Sequence, residues 1–274
     1  ISACLVGSEM CIRDRGYITD EYLKPYAIFK SDMKDTYVDE MEICSEFEEG
    51  IEKQEFQVFY QPVVDAKTGK IVSAEALVRW FHEQKGFISP GQFIPALEKG
   101  GYISELDRYM IEKVTGCLDQ RRAEKKRFVP VSVNLSWMDF YDENMLEWIV
   151  RGLKKNNPNE QKIRFEITET SLAAIGENHT RMLMHLKENG AEILLDDFGS
   201  GYSSFGMLQD YDFDILKMDI SFVRNIGVNK KSESILRAII DMAHQLEIRL
   251  VAEGAETEEQ VAFLRANGCD SVSY

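Results

Sequence analysis

Residues 56–80 read FQVFYQPVVDAKTGKIVSAEALVRW, two β-rich runs (56–64 and 70–80) joined only by DAKTG. A connection that leaves two strands parallel needs a dozen or more residues, so this pair is expected to be antiparallel. Downstream, β-rich runs alternate with amphipathic helical stretches. Strands are expected at 129–136 (VPVSVNLS), 163–169 (IRFEITE), 192–197 (EILLDD), 214–219 (DILKMD) and 248–253 (IRLVAE). Helical periodicity recurs at 143–154, 178–188 and 232–246, each with an apolar stripe and a charged outer face. Ser89-Pro90 and the capping-box pattern Thr257-x-x-Gln260 mark helix starts, and Gly190 and Gly268 mark stops. Repeated βα units build a parallel sheet with helices outside it, so a barrel opened by one antiparallel pair is expected. That accounts for seven strands, and an eighth fits only after Cys269.

Composition agrees with a compact body. At 274 residues the chain suits two average domains or a single α/β barrel of about 250 residues. With 44% hydrophobic residues, 11% aromatic and only 6 prolines it has material for a sizeable core. The formal net charge of -15 repels polyanions over most of the surface, which disfavours a nucleic-acid polymer as partner. A small phosphorylated ligand is compatible with that charge if divalent cations offset it locally. The 5 cysteines include no C-x-x-C pair, and the 4 histidines lack metal-ligand spacing, so any metal is expected to be held by oxygen. No apolar run reaches the 18 or more residues of a membrane span, and a cytoplasmic location is expected.

In a parallel barrel the active site lies at the carboxyl ends of the strands, and here those ends are nearly all acidic. They carry Glu75, Asn134, Glu166 and Glu169, Asp196-Asp197, Lys217 and Asp219, and Glu253 and Glu256. Any one of these alone reads as a surface carboxylate or a strand-end turn. Together they converge, and converging carboxylates stay ionised only around positive charge. By the period of two, Glu75, Leu77 and Arg79 share a face, as do Lys217 and Asp219. Adjacent Asp196 and Asp197 serve one site only if the strand ends there, and the following FGSGYSS suggests such an end. Hard oxygen donors suit Mg²⁺ or Mn²⁺, and two such ions suit phosphodiester hydrolysis.

The motifs EALVRW, VNLS, EITET, DDFGSGYSS, LKMD and AEGAET, in this order and spacing, resemble the EAL domain family of cyclic di-GMP phosphodiesterases from about Phe47 to Asp270. The resemblance implies an α/β fold, a modified (β/α)8 TIM-like barrel with an antiparallel first strand. It implies hydrolysis of cyclic di-GMP to linear pGpG with Mg²⁺ or Mn²⁺. Glu75, Asn134, Glu166 and Asp196 correspond to ligands of a first ion, with Asp196 bridging, and Asp197 and Glu253 to ligands of a second. Glu253 is alternatively a general base in a one-metal scheme. Lys217 corresponds to a contact of the hydrolytic water, Arg79 to a phosphate contact, and Gln61 and Asp219 to contacts of the nucleotide or its supporting network. Glu169 corresponds to a support of the loop 198–206, with Glu256 behind the ligands, and a homodimer is implied. Two other classes compete: a cyclic di-GMP receptor without turnover, and an unrelated metal-dependent barrel enzyme such as a lyase.

Residues 26–55 read as a short strand and a charged connecting helix, resembling the tail of a GGDEF domain and its linker. We therefore expect three parts: an adaptor-like, non-natural segment at 1–15, a GGDEF-like tail and linker at 16–46, and the EAL domain at 47–274. The parent is expected to be a GGDEF–EAL protein, membrane-anchored or not, with this domain on the cytoplasmic side. Where the family continues with a glutamine after GCD, this chain has Ser273 in the run Ser271-Val272-Ser273-Tyr274. The last barrel unit is thus expected to be truncated, leaving a sheet edge exposed.

Overall fold

The computed structural model describes residues 31–155, 163–175, 180–200 and 204–274, most of their side chains from Asp39 onward, and three short antiparallel strands at Leu5–Val6, Glu9–Ile12 and Ala27–Ile28. The first two of these strands fall where the sequence offered no pattern.

Eight strands form the barrel: β1 (Phe56–Asp65), β2 (Ile71–His82), β3 (Val131–Asn134), β4 (Ile163–Thr168), β5 (Glu192–Phe198), β6 (Ile215–Met218), β7 (Arg249–Ala252) and β8 (Ser271–Ser273). The β1–β2 pair is antiparallel through Gln61↔Glu75, and β2 through β8 run parallel in order. Its tight turn is held by the Asp65 carboxylate, which accepts the Thr68 N–H at 2.6 Å, and by Gly69 at φ 68°. β8 pairs with β7 on one side and antiparallel with β1 on the other through Val272↔Val64. The exposed edge expected from the sequence is therefore not formed. Three residues close the ring because β1 already offers an antiparallel partner.

The helices are α1 (Ser31–Glu52), α2 (Pro90–Gly100), α3 (Ile103–Ala123), α4 (Glu143–Lys155), α5 (Glu169–Ile175), α6 (Thr180–Glu188), α7 (Ser204–Asp210), α8 (Ile220–Arg224), α9 (Lys230–Gln245) and α10 (Glu258–Ala266). α9 begins two residues before the stretch read from periodicity, because Asn229 caps it: its Oδ1 accepts the Lys231 and Ser232 N–H groups. The Thr257–Gln260 capping box opens α10.

The period of two along the strands stacks the barrel interior in three levels. Arg164, Glu192 and Arg249 form an ion-paired floor, with Arg249 Nη2 2.6 Å from Glu192. Two residues higher, Val63, Leu194, Ile215 and Val251 make a buried apolar plug. Two residues higher again the side chains are polar, and this third level is the mouth. Outside the sheet, the helices cover the main core, including Phe165, Ile193 and Leu250. α1 is not a free linker: Ile43 and Phe47 pack with Phe56, Trp80 and Phe93 in a second cluster beside the mouth end of β2.

Candidate functional site

The mouth level is built strand by strand. Gln61 (β1), Glu75 (β2), Asn134 (β3), Glu166 (β4), Asp196 (β5), Lys217 (β6) and Glu253, just past β7, all stand one repeat above the floor–plug stack. Lys217 is 2% exposed and sits at the centre. Its ammonium lies 2.6 Å from Glu166, 2.7 Å from Glu253, 2.9 Å from Glu75 and 3.1 Å from Asp196. The Asn134 amide donates to Glu75 at 3.4 Å.

Asp197 enters the site in a way the sequence did not suggest. The strand does not end at Asp196; it runs on to Phe198. Against β6, Leu195 pairs with Leu216 but Phe198 with Met218, so Asp196 and Asp197 together oppose Lys217. Asp197 adopts φ 56°. This bulge, with a residue in the left-handed region, turns two consecutive carboxylates toward one centre.

The electrostatics follow from burial. Burial pulls the Lys217 ammonium down, but Glu166, Asp196, Glu75 and Glu253 outweigh it and hold it well above the ordinary lysine value. Burial pushes Glu166 up to about 8 against the pull of Lys217, with Glu75 and Asp196 adding to the rise. Glu253 is pushed up to about 7 by the same cause. Asp197 is also raised, by burial and then by Asp196 and Asp219. One ammonium thus does not neutralise the acids around it. Glu75, Glu166 and Asp196 each offer an oxygen within 4.8 Å of the others, and so do Asp196, Asp197 and Glu253. Two carboxylate groups sharing Asp196 fit two hard divalent cations, whose charge would restore these acids to ionised form.

The remaining expected residues lie around this ring. Arg79 stands two residue pairs above Glu75, its guanidinium bonded to the Val78 carbonyl at 2.8 Å and 5.9 Å from the Phe59 ring centre. Gln61 donates to the Tyr274 carbonyl at 2.7 Å. Asp219 caps α8, accepting the Ser221 N–H at 2.9 Å. Buried Glu169 accepts the Gly199 N–H at 3.2 Å, at the start of the loop whose residues 201–203 lie outside the described residues. Glu256 is not brought to the ring; it is exposed, 4.0 Å from Arg224.

Beside the ring, between β2, β3, α2 and α3, opens a cavity of about 580 Å³ lined by Leu77, Arg79, Asn134, Trp137 and Thr168 among others. The sequence reading missed Thr168, although its place at the β4 end was a usable signal. It also missed buried Asp107 and Asp139, which both accept the Ser136 N–H, at 3.1 and 2.9 Å.

Known proteins resemble this chain in sequence and fold. The EAL domain model matches residues 45–273. An uncharacterized signaling protein of Caulobacter vibrioides is 36% identical over 89% of this chain and 30% of its own length. A cyclic di-GMP phosphodiesterase of Pseudomonas aeruginosa is 36% identical over 78% of this chain and 36% of its own length. The chain thus spans about a third of the curated relatives it matches. The solved structure of the MucR phosphodiesterase in complex with c-di-GMP superimposes with a TM-score of 0.74 at 30% identity, over 85% of this chain and 94% of that one. A match running from the middle of α1 to the last residue of β8 takes in every strand that builds the mouth, and on it the chain belongs to the EAL domain family.

Proposed function

We propose that this chain hydrolyses cyclic di-GMP to linear pGpG with two divalent cations, Mg²⁺ or Mn²⁺. The observation that carries the reading is the pair of three-carboxylate groups joined at Asp196 beside a nucleotide-sized cavity. When bound, such cations lower the pKa of water and stabilise the attacking and leaving oxygens of an in-line displacement. Glu75, Asn134, Glu166 and Asp196 hold one ion; Asp196, Asp197 and Glu253 hold the other. Lys217 offsets the acid charge and orients the attacking water. In a one-metal scheme Glu253 instead accepts its proton. Arg79 binds a phosphate oxygen at the rim, and Gln61 and Asp219 contact the nucleotide or the groups that hold it. Glu169 supports the loop 198–206, with Glu256 outside the ring. In its parent this unit follows a GGDEF domain, works on the cytoplasmic side and pairs as a homodimer.

Product analysis tests the reading. Incubation with cyclic di-GMP and Mn²⁺ is expected to give pGpG, and Glu75→Gln is expected to abolish it with the fold intact. Folded protein that binds the dinucleotide without cleaving it would instead be a receptor.

A further inference from the structure

β1 and β2 run past the mouth, so the face that carries Gln61 and Glu75 continues into solvent. One repeat above that pair stand Phe59 and Leu77, then Gln57 and Arg79, and Phe81 opposite Phe87 lies beyond. Phe59 is 47% exposed, Phe81 38% and Phe87 54%. The Phe59 and Phe81 rings are 6.0 Å apart, and Phe81 and Phe87 5.5 Å. An exposed run of three rings is costly in water and marks a contact surface. Its position points to the occupant. Phe59 sits about 7 Å, one strand repeat, from the Gln61–Glu75 pair, a separation comparable to that between a nucleotide's phosphate and its base. The cavity lies on the β3 side of Leu77 and Arg79, whereas the rings lie on the β1 side. A ligand with two bases across one phosphate ring therefore finds two receptors flanking Arg79.

We infer that Phe59, with Phe81 beside it, is the stacking platform for one purine base of the cyclic dinucleotide, while the cavity takes the other. This rests on the reading of the carboxylate ring as a cyclic di-GMP site. Phe59 also underlies the Arg79 guanidinium, so the test must see the base itself.

Cyclic di-GMP is titrated by calorimetry onto Glu75→Gln protein, which does not turn it over. Adding Phe59→Ala is expected to weaken binding about tenfold, the effect of losing one stacked base. Phe59→Trp is expected to keep the affinity, and the emission of the added indole to be quenched on binding. Unchanged affinity in Phe59→Ala, or binding without quenching in Phe59→Trp, overturns the platform. A loss of dimer by sedimentation in Phe59→Ala at unchanged affinity also overturns it, and makes the rings an interface between copies. No binding of cyclic di-GMP to either the unsubstituted or the Glu75→Gln protein brings down the dinucleotide reading itself, and the platform with it.

Discussion

Asp197 shows how much a single backbone conformation decides. At φ 56° it lies where Asp and Asn are tolerated and β-branched residues are not. Asp197→Asn is therefore expected to melt like the parent while losing most hydrolysis, because only the charge is gone. Asp197→Val should lose both, with stability down by about 1–3 kcal/mol. Equal melting of the two variants would remove the bulge from the account. Lys217 makes the opposite point. Removing a fully buried partner strands its counter-charges, so Lys217→Met is expected to cost about 3–5 kcal/mol at pH 8 in metal-free buffer. Added Mn²⁺ should recover part of it in thermal melts; no recovery would argue against cation binding by these acids. The sequence showed both residues and the strands that carry them. It hid the bulge, because a register shift depends on the neighbouring strand and leaves no local signature.

Two elements fix where the loops of the mouth sit. α8 presses Ile220 onto Gly254 and Phe222 onto Gly199, the residues just after Glu253 and just after β5. A Cβ on Gly254 would meet Ile220 at 2.3 Å, and Gly254 has φ 67°. Gly254→Ala is expected to lower stability and turnover together. Ile220→Ala in the same chain should restore only the part due to the clash, leaving the positive-φ strain. The segment 136–141, which follows the strand bearing Asn134, is tied to α3 by Asp107 and Asp139. Burial pushes both carboxyls above the ordinary aspartate value of 3.8, and for Asp107 the charge of Asp139 adds to it. The contribution of a carboxyl raised in the folded state is complete below its unfolded pKa and is lost as pH rises through the raised value. Melting temperature should therefore fall from mildly acid to alkaline pH, and Asp139→Asn should flatten that slope and gain about 1–2 kcal/mol at pH 8. An unchanged slope would exclude the pair as its source. α3 was not singled out from the sequence, although Ile103, Leu106, Met110, Val114 and Leu118 recur at helical spacing and are all buried. Asp107 was missed because an aspartate inside a helix reads as an outer-face charge.

For the whole molecule, the barrel was legible from the alternation of strands and helices, and its reversed opening from the five-residue DAKTG turn. Closure was not, because three residues ending in Ser273 carry too little pattern to count as a strand until β1 is placed beside them. If the mouth binds divalent ions, folding is linked to them. Mn²⁺ at a hundred times its dissociation constant should add about 2.7 kcal/mol, roughly 5–10 °C in melting temperature for a chain of this size. A chelator should reverse the shift.

The reversed first strand has one more effect. In a barrel whose strands all run the same way, the chain enters at the floor, and whatever is attached upstream is separated from the chemistry by the full height of the stack. Here β1 starts at the mouth, with Phe56 opposite Trp80, and Glu55 accepts the Trp80 indole N–H at 2.9 Å, one residue from Arg79. The wiring is inverted: α1 joins the barrel at the mouth, beside Trp80 and Arg79, and the floor lies at the far end of β1.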